Sequence, residues 1–451
     1  MSHNNNAAVT RRVTLAFALM LGALTATSWA AETGDETMKI KRPDLGALIS
    51  NASGADKVRA GMSSARLKHL DEHFHRYVDE GKIAGVVTWV SRHGQVVHED
   101  AYGMADITAK RPMTPDTYFY VYSMTKPVTT VALLMLYEEG KFQLDDPIAR
   151  YLPELANLKL YVGDNTDGSM VLKDPKRQPT IHDVFRHTAG FLYGPAGNRS
   201  LDKAYAAANV LGGNLTELTQ RLGKLPLAYE PGTNWIYSVS HDVQAHLVEV
   251  LSGMPFDQFV RQRIFEPLKL KQMIFGRPDD LKNRFATIYT VNDKGMLQPN
   301  GALDAPGAAT KVLGGFSISA TAADYGRFAR MLVNSGELDG VRLLSRKTID
   351  LMDSNHLPDG VMRGAPGGGV VSGEGYGLGV RVVTDPAKAG NLTSKGTFGW
   401  SGAAGTHFFV DRSEDLVAVF MIQKMNAPDG PAMAAEFETL VYQAIVDQAG
   451  R

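Results

Sequence analysis

Ser123 and Lys126 lie three residues apart and carry the strongest chemical signal in the chain. The mostly apolar residues from Val128 to Tyr137, followed by Gly140, predict a buried helix that begins near Ser123. Residues three apart share one face of a helix, so the Lys126 amine can reach the Ser123 hydroxyl. A serine is a weak nucleophile until a base takes its proton, and burial lowers the pKa of a lysine towards neutral pH. We therefore predict a nucleophilic serine with a lysine base; a helix-capping serine beside a solvated lysine is the alternative.

A tyrosine offers a second candidate base. Tyr237 lies in a turn, Pro231 to Ser238, just before a helix predicted over Ser240 to Leu251. A phenol has a pKa of about 10, but a nearby cationic lysine favours its ionised form, which can accept a serine proton. A core tyrosine with a satisfied hydroxyl is the alternative.

Gly399 to Gly405 form a glycine-rich segment before a strand predicted to begin at Thr406. Glycine lets a backbone approach a ligand closely, so an N–H group here could form half of an oxyanion hole. The segment also nearly matches the nucleophile elbow G-x-S-x-G, with Ser401 at its centre and Ala403 in place of the last glycine. Because that elbow requires a helix after the serine, Ser401 is the weaker candidate nucleophile.

The remaining candidate ligands and bases are histidines. His69 and His73 are four residues apart on the polar face of a helix predicted over Ser64 to Glu80. Such a pair can bind a metal, but the sequence offers no third ligand nearby, so we predict that this face is solvated. His187 begins His187-Thr-Ala-Gly190 and is interpreted as a structural turn residue, since two other bases are available.

The composition excludes several classes of function. Among 451 residues, Lys and Arg number 47 and Asp and Glu 48, so the charge gives no reason to expect a nucleic-acid partner. The chain has no cysteine, which excludes disulfides, thiolate metal sites and a cysteine nucleophile. A hydrophobic content of 44% is typical of a globular protein with a sizeable core.

Residues 1–30 have the features of a signal peptide. Arg11-Arg12 precede an apolar run from Val13 to Thr25, and Ser28-Trp-Ala30 is a small-x-small cleavage site. We predict cleavage there and a periplasmic or secreted protein with no stable membrane anchor; a retained anchor is the alternative, and the export route stays open. Residues 31–60 are predicted to be a linker or loosely held arm.

Strands are predicted near both ends of the chain, with helices between them. The predicted strands are Val86–Val90, Gln95–His98, Tyr118–Tyr122, Tyr376–Val383, Thr406–Asp411 and Leu416–Gln423. The predicted loops near the pocket are residues 158–180, 290–312 and 364–375. This order favours one α/β domain of α+β type over residues 61–447, with residues 61–150 and 305–447 forming the α/β part and residues 151–304 an inserted, mostly helical part.

Several motifs occur in an order typical of one superfamily. They are Tyr122-Ser-Met-Thr-Lys-Pro127, His187-Thr-Ala-Gly190, Pro231-Gly-Thr-Asn-Trp-Ile-Tyr-Ser238, Ile264-Phe-Glu-Pro-Leu268 and Trp400-Ser-Gly402. By these motifs, residues 60–447 resemble the class C β-lactamase-like serine hydrolases, and most of all the family VIII carboxylesterases. The resemblance implies an antiparallel sheet flanked by helices, a mostly helical domain, and an active site between the two.

The resemblance also implies roles for single residues. Ser123 would be the nucleophile and Lys126 its partner base. Tyr237 would act first as a general base and then as an acid for the leaving group. The N–H groups of Ser123 and Ala403 would form the oxyanion hole. Neither a metal nor an organic cofactor is implied.

Trp400 and Gly402 would line the acyl pocket, where the chain departs from β-lactamases of this type. Val239 replaces an asparagine, and Trp400 replaces a lysine that would attract the antibiotic's carboxylate. Both changes favour an uncharged ester, so we predict an exported serine hydrolase that acts on small esters or amides through an acyl-enzyme. The alternatives are a β-lactamase or D-amino-acid peptidase, an acyltransferase, or a binding or sensor protein that is acylated without turnover. The oligomeric state stays open.

Overall fold

The described part of the chain begins at residue 56. The computed structural model describes residues 56–194, 197–304, 311–364, 371–425 and 427–448. The predicted signal peptide, and most of the arm predicted after it, lie outside these residues. Among the described helices, none combines the length and the apolar character needed to cross a membrane.

The described residues form many short strands and a set of helices. The strands are β1 Val58–Arg59, β2 Met62–Ser63, β3 Gly85–Arg92, β4 Gln95–Asp106, β5 Arg111–Pro112, β6 Phe119–Tyr120, β7 Leu160–Asp164, β8 Met170–Lys173, β9 Met273–Phe275, β10 Tyr289–Val291, β11 Leu297–Pro299, β12 Ile318–Ala320, β13 Glu337–Leu338, β14 Val341–Arg342, β15 Glu374–Tyr376, β16 Arg381–Val383, β17 Phe398–Ser401, β18 His407–Asp411 and β19 Leu416–Met421. The α-helices are α1 Ser64–Asp79, α2 Thr125–Glu138, α3 Ile181–Phe185, α4 Ser200–Ala208, α5 Leu215–Leu222, α6 Ser240–Ser252, α7 Phe256–Val260, α8 Gly301–Asp304, α9 Ala322–Val333, α10 Arg346–Met352, α11 Pro386–Ala389 and α12 Gly430–Tyr442.

One antiparallel sheet joins the N-terminal and C-terminal parts of the described chain. Its strand order is β15-β16-β17-β18-β19-β3-β4-β5, and every neighbouring pair is antiparallel. β19 lies beside β3, with Leu416 opposite Arg92 and Met421 opposite Val87. The predicted antiparallel sheet built from both ends of the chain is therefore confirmed.

Helices cover both faces of this sheet. α1 and α12 pack on one face, where Phe74, Phe420 and Phe437 belong to one buried apolar cluster. α9 contacts β3, β18 and β19. α2 is buried along most of its length and packs against α6 and α7 of the helical region. These contacts confirm the mixed α/β fold with helices flanking the sheet, while the boundaries of its two parts stay a prediction.

Some predicted elements differ from the structure. Residues 158–180, predicted as a loop, contain the hairpin β7–β8, whose mostly exposed strands lack a clear apolar alternation. The loop predicted over residues 290–312 likewise contains β11. The single strand predicted over Tyr376–Val383 is divided into β15 and β16 by a turn. Gly379 in that turn has a φ of +76°, and a Cβ there would collide with Thr130, so the turn requires glycine.

Candidate active site

Ser123 lies in a short turn between a strand and a buried helix. β6, a 3₁₀ turn over Tyr122–Met124 and α2 follow one another, so α2 begins just after the serine. Tyr122 has a φ of +44°, a strained conformation for a residue with a side chain and one often found at active sites. The Tyr325 hydroxyl donates to the Met124 carbonyl at 2.7 Å and holds the turn. Ser123 is partly exposed, whereas its neighbours Tyr122 and Met124 are buried.

The Lys126 side chain is fully buried beside Ser123. Its Nζ donates to Ser123 Oγ at 3.1 Å and to the carbonyl oxygen of Gly315 at 2.8 Å. Burial lowers the pKa of Lys126 from 10.5 to about 7, although the Asp242 carboxylate acts in the opposite direction. A neutral amine is therefore accessible near neutral pH. The alternative of a solvated lysine is wrong.

Asp242 is a buried carboxylate that the sequence patterns did not indicate. It lies in the first turn of α6, and its Oδ1 accepts the N–H of Gly315 at 2.9 Å. Gly315 thus contacts Asp242 through its N–H and Lys126 through its carbonyl. Burial raises the pKa of Asp242 to about 6, against the effect of the Lys126 charge. A sequence signal for it is an acidic residue in a helical turn that is otherwise buried.

Tyr237 approaches Ser123 from the other side. Its hydroxyl donates to Ser123 Oγ at 2.8 Å, and Lys126 Nζ lies 4.6 Å from the centre of its ring. Burial raises the pKa of Tyr237 above its usual value, and the hydrogen bonds with Ser123 and Trp400 only oppose this shift. The expected preference for the ionised phenol is therefore reversed, and Tyr237 is a hydrogen-bond donor at rest.

Aromatic rings surround Tyr237. Tyr193 and Trp235 stack on it with ring centres 5.5 Å and 6.2 Å away, and Trp400 lies 5.6 Å away. Val239, which stands where β-lactamases of this type have an asparagine, is fully buried. These groups give the site an apolar wall on the Tyr237 side.

The segment after β17 lies against the backbone that leads to Ser123. The Gly402 N–H donates to the Thr406 carbonyl at 2.7 Å, and Thr406 Oγ1 donates to the Val121 carbonyl at 3.3 Å. A Cβ on Gly402 would lie 2.5 Å from that Val121 oxygen, so this close approach requires glycine. Ala403 follows in the same exposed turn. The oxyanion role of the Ala403 N–H stays a prediction.

The histidine candidates have structural partners or lie on the surface. His187 is buried, and its Nδ1 accepts the Ser238 N–H at 3.2 Å, as expected for a residue that fixes a turn. His69 is exposed, and His73 Nε2 lies 2.9 Å from a carboxylate oxygen of Glu436. Within the described ranges, no group of three or more histidine, aspartate or glutamate side chains is arranged to hold a metal ion.

Ser401, the weaker candidate nucleophile, is followed by β18 rather than by a helix, so it does not form the nucleophile elbow. Its Oγ lies 2.8 Å from Nδ1 of His407. Successive residues of a strand face opposite sides of a sheet, so Ser401 and Trp400 face opposite sides. Ser401 therefore takes no part in the Ser123 cluster, which consists of Ser123, Lys126, Tyr237 and Asp242.

Several known proteins are similar to this chain over most of its length. An uncharacterized protein of Mycobacterium tuberculosis is 36% identical over 361 residues, which are 78% of this chain and 88% of the relative. Esterase EstB of Burkholderia gladioli is 29% identical over 385 residues, which are 82% of this chain and 94% of the esterase. The solved structure of EstCE1, a hydrolase with promiscuous acyltransferase activity, has a TM-score of 0.67 at 25% identity and covers 85% of this chain and 98% of its own.

The family of the chain is assigned by a match that covers most of its length. Residues 70–443 match the family described as Beta-lactamase, and this range contains every member of the Ser123 cluster. The likeness to two hydrolases that cover most of the chain agrees with that match. The chain therefore belongs to the beta-lactamase family and is a serine hydrolase.

Proposed function

We propose that the protein hydrolyses small, uncharged carboxylic esters through an acyl-enzyme on Ser123. One observation carries this proposal: Ser123 Oγ contacts two groups that can move a proton, Lys126 Nζ at 3.1 Å and Tyr237 Oη at 2.8 Å. A nucleophile within hydrogen-bond reach of a base is the arrangement that acyl transfer requires. The likeness to esterase EstB supports an ester as the substrate.

Lys126 acts as the base during acylation. Ser123 Oγ forms a bond to the ester carbonyl carbon, and the serine proton passes to the neutral Nζ of Lys126. The resulting ammonium keeps its hydrogen bond to the Gly315 carbonyl and lies close enough to Asp242 to be stabilised by its charge. A pKa of about 7 leaves enough neutral lysine for this step at neutral pH.

Tyr237 acts as the acid for the leaving group. Its pKa is raised by burial, so it carries a proton that it can give to the alkoxide as the ester C–O bond breaks. Lys126 then returns its proton to the tyrosine. Water then attacks the acyl-enzyme in the same way. Lys126 takes the proton of the water, and Tyr237 gives a proton to Ser123 Oγ as the ester bond to Ser123 breaks. The N–H groups of Ser123 and Ala403 would stabilise the oxyanion during both acylation and deacylation.

The walls of the site favour an uncharged substrate. Trp400 is only 5% exposed and packs beside Tyr237, at the position where the related β-lactamases carry a lysine. Without that cation, an anionic β-lactam loses a favourable electrostatic contact. The rings of Tyr193, Trp235 and Trp400 instead offer apolar area to a short acyl chain.

A paired steady-state assay on p-nitrophenyl butyrate and nitrocefin tests this proposal. We expect rapid ester cleavage, little nitrocefin turnover, and a loss of at least about a thousandfold in Ser123→Ala. Ser169→Ala is the control, because Ser169 is an exposed serine whose hydroxyl donates to Asp167. Full ester cleavage by Ser123→Ala would refute the mechanism. A preference for nitrocefin would instead place the protein among the β-lactamases.

Export is the second part of the proposal, and it rests on Arg11-Arg12, the apolar run to Thr25 and the Ser28-Trp-Ala30 site. Expression of the full chain in a bacterial host, followed by fractionation and N-terminal sequencing, tests it. We expect a periplasmic protein that begins at Ala31. A cytoplasmic protein with an intact leader would contradict it.

A further inference from the structure

Ser401, His407 and Glu438 form a chain of hydrogen bonds. Ser401 Oγ lies 2.8 Å from His407 Nδ1, and His407 Nε2 lies 3.0 Å from Glu438 Oε1. Ser401 and His407 are register partners on β17 and β18, and Glu438 projects from α12. A serine, a histidine and a carboxylate in this order activate a serine hydroxyl on several unrelated folds.

This trio and the Ser123 cluster lie on opposite faces of the sheet. Trp400 precedes Ser401 in β17 and packs against Tyr237, with ring centres 5.6 Å apart. His407 packs against Phe437 of α12, with ring centres 6.4 Å apart. Because side chains alternate along a strand, Ser401 shares the α12 face with its histidine partner.

The His407 ring is uncharged, so it can accept a proton. Burial lowers the pKa of His407 well below 6.5, with a smaller effect from Arg381 in the same direction, so the ring is neutral at rest. A carboxylate accepts hydrogen bonds, so the ring proton lies on Nε2, towards Glu438, and Nδ1 accepts the Ser401 hydroxyl. Arg381 also donates to the Glu438 carboxylate and fixes it against the ring.

The serine of the trio is open to solvent, where an ester can reach it, and the histidine and the carboxylate behind it are buried. Ser401 is exposed, whereas His407 and Glu438 are 2% and 4% exposed. We propose that Ser401, His407 and Glu438 form a second nucleophilic serine site, which takes up the acyl group of small activated esters independently of Ser123. An open surface position encloses no long acyl chain, so a compact ester with a good leaving group is the class of substrate it fits.

The reaction balances without any further reagent. Ser401 Oγ forms a bond to the carbonyl carbon of the ester, and its proton moves to Nδ1 of His407. The bond from that carbon to the leaving oxygen then breaks. The alcohol or phenol leaves with the proton from His407, and the acyl group stays on Ser401 as an ester.

Acetylation of Ser123→Ala by p-nitrophenyl acetate tests the proposal apart from the main activity. The tryptic peptide over residues 396–412 contains Ser401 and no other serine, lysine or tyrosine, so mass spectrometry with fragmentation can assign an acetyl group to it. We expect one acetyl group on Ser401 and none on that peptide in the Ser123→Ala, Ser401→Ala double variant. His407→Gln in the same background should slow the acetylation about a hundredfold.

Ser169, an exposed serine without a histidine partner, is the internal control in the same digest. The proposal is overturned if Ser401 is not acetylated, if Ser169 is acetylated equally fast, or if His407→Gln leaves the rate unchanged. Ser401→Ala removes one exposed hydroxyl, so its result does not depend on the stability of the histidine variant.

Discussion

Asp242→Asn isolates the effect of one buried charge on the base beside Ser123. An asparagine Oδ1 can still accept the Gly315 N–H, so the hydrogen bond now measured at 2.9 Å is kept while the charge is lost. Asp242 raises the pKa of Lys126, which burial brings down to about 7. A nearby opposite charge shifts the pKa of an ionisable group by about one to three units, and the effect of Asp242 lies in the lower part of this range because burial raises its own pKa to about 6. Loss of this charge should therefore lower the pKa of Lys126 by about one to two units.

The assay is kcat/KM for p-nitrophenyl butyrate as a function of pH. The neutral amine is the active form, so wild-type activity should rise with pH through about 7, the pKa of Lys126. In Asp242→Asn the rise should occur at lower pH. Asp183→Asn is the control, since Asp183 is another buried carboxylate, paired with Arg177 and Arg186. The reasoning would be refuted if kcat/KM of Asp242→Asn rose at the same pH as that of the wild type. It would also be refuted if the rise moved to lower pH equally far in Asp183→Asn.

Three further substitutions have expected outcomes. Tyr237→Phe keeps the stacked ring but removes the proton donor 2.8 Å from Ser123 Oγ, so kcat/KM for the ester should fall about 10²- to 10⁴-fold in steady-state assays, while thermal unfolding stays close to wild type. Gly402→Ala places a Cβ 2.5 Å from the Val121 carbonyl oxygen, so the turn must shift; we expect kcat to fall about tenfold or more, and an unchanged kcat would contradict the close approach. Trp400→Lys restores a cation, so the ratio of nitrocefin to ester kcat/KM should rise about tenfold, equivalent to about 1.4 kcal/mol; a constant ratio would show that Trp400 does not set specificity.

Local geometry explains which parts of the site the sequence could predict. Ser123 and Lys126 are neighbours because they lie on consecutive turns of one buried helical segment, so their spacing alone predicts the 3.1 Å contact. Tyr237 was found through its motif. Asp242 was missed because its approach to Lys126 depends on the packing of α6 against α2 and on the distant Gly315.

The ionisation of the site depends on burial, which a local pattern does not reveal. A cationic lysine would have favoured an ionised Tyr237, but desolvation disfavours both charges, lowering the pKa of Lys126 and raising that of Tyr237. The Ser401–His407 contact likewise follows from the register of β17 and β18. The sequence predicted β18 over Thr406–Asp411, but it did not predict β17, because the segment from Gly399 to Gly405 was interpreted as glycine-rich backbone that precedes a strand.

Trapping of the acyl-enzyme tests the central claim most directly. Wild-type protein is mixed with p-nitrophenyl butyrate, quenched with acid during turnover, digested, and mapped by mass spectrometry. We expect a butyryl group on Ser123 whose rates of appearance and loss match the rate of p-nitrophenol release. Continued release of p-nitrophenol with Ser123 unmodified, or a butyryl group that turns over at this rate on another residue, would contradict the account.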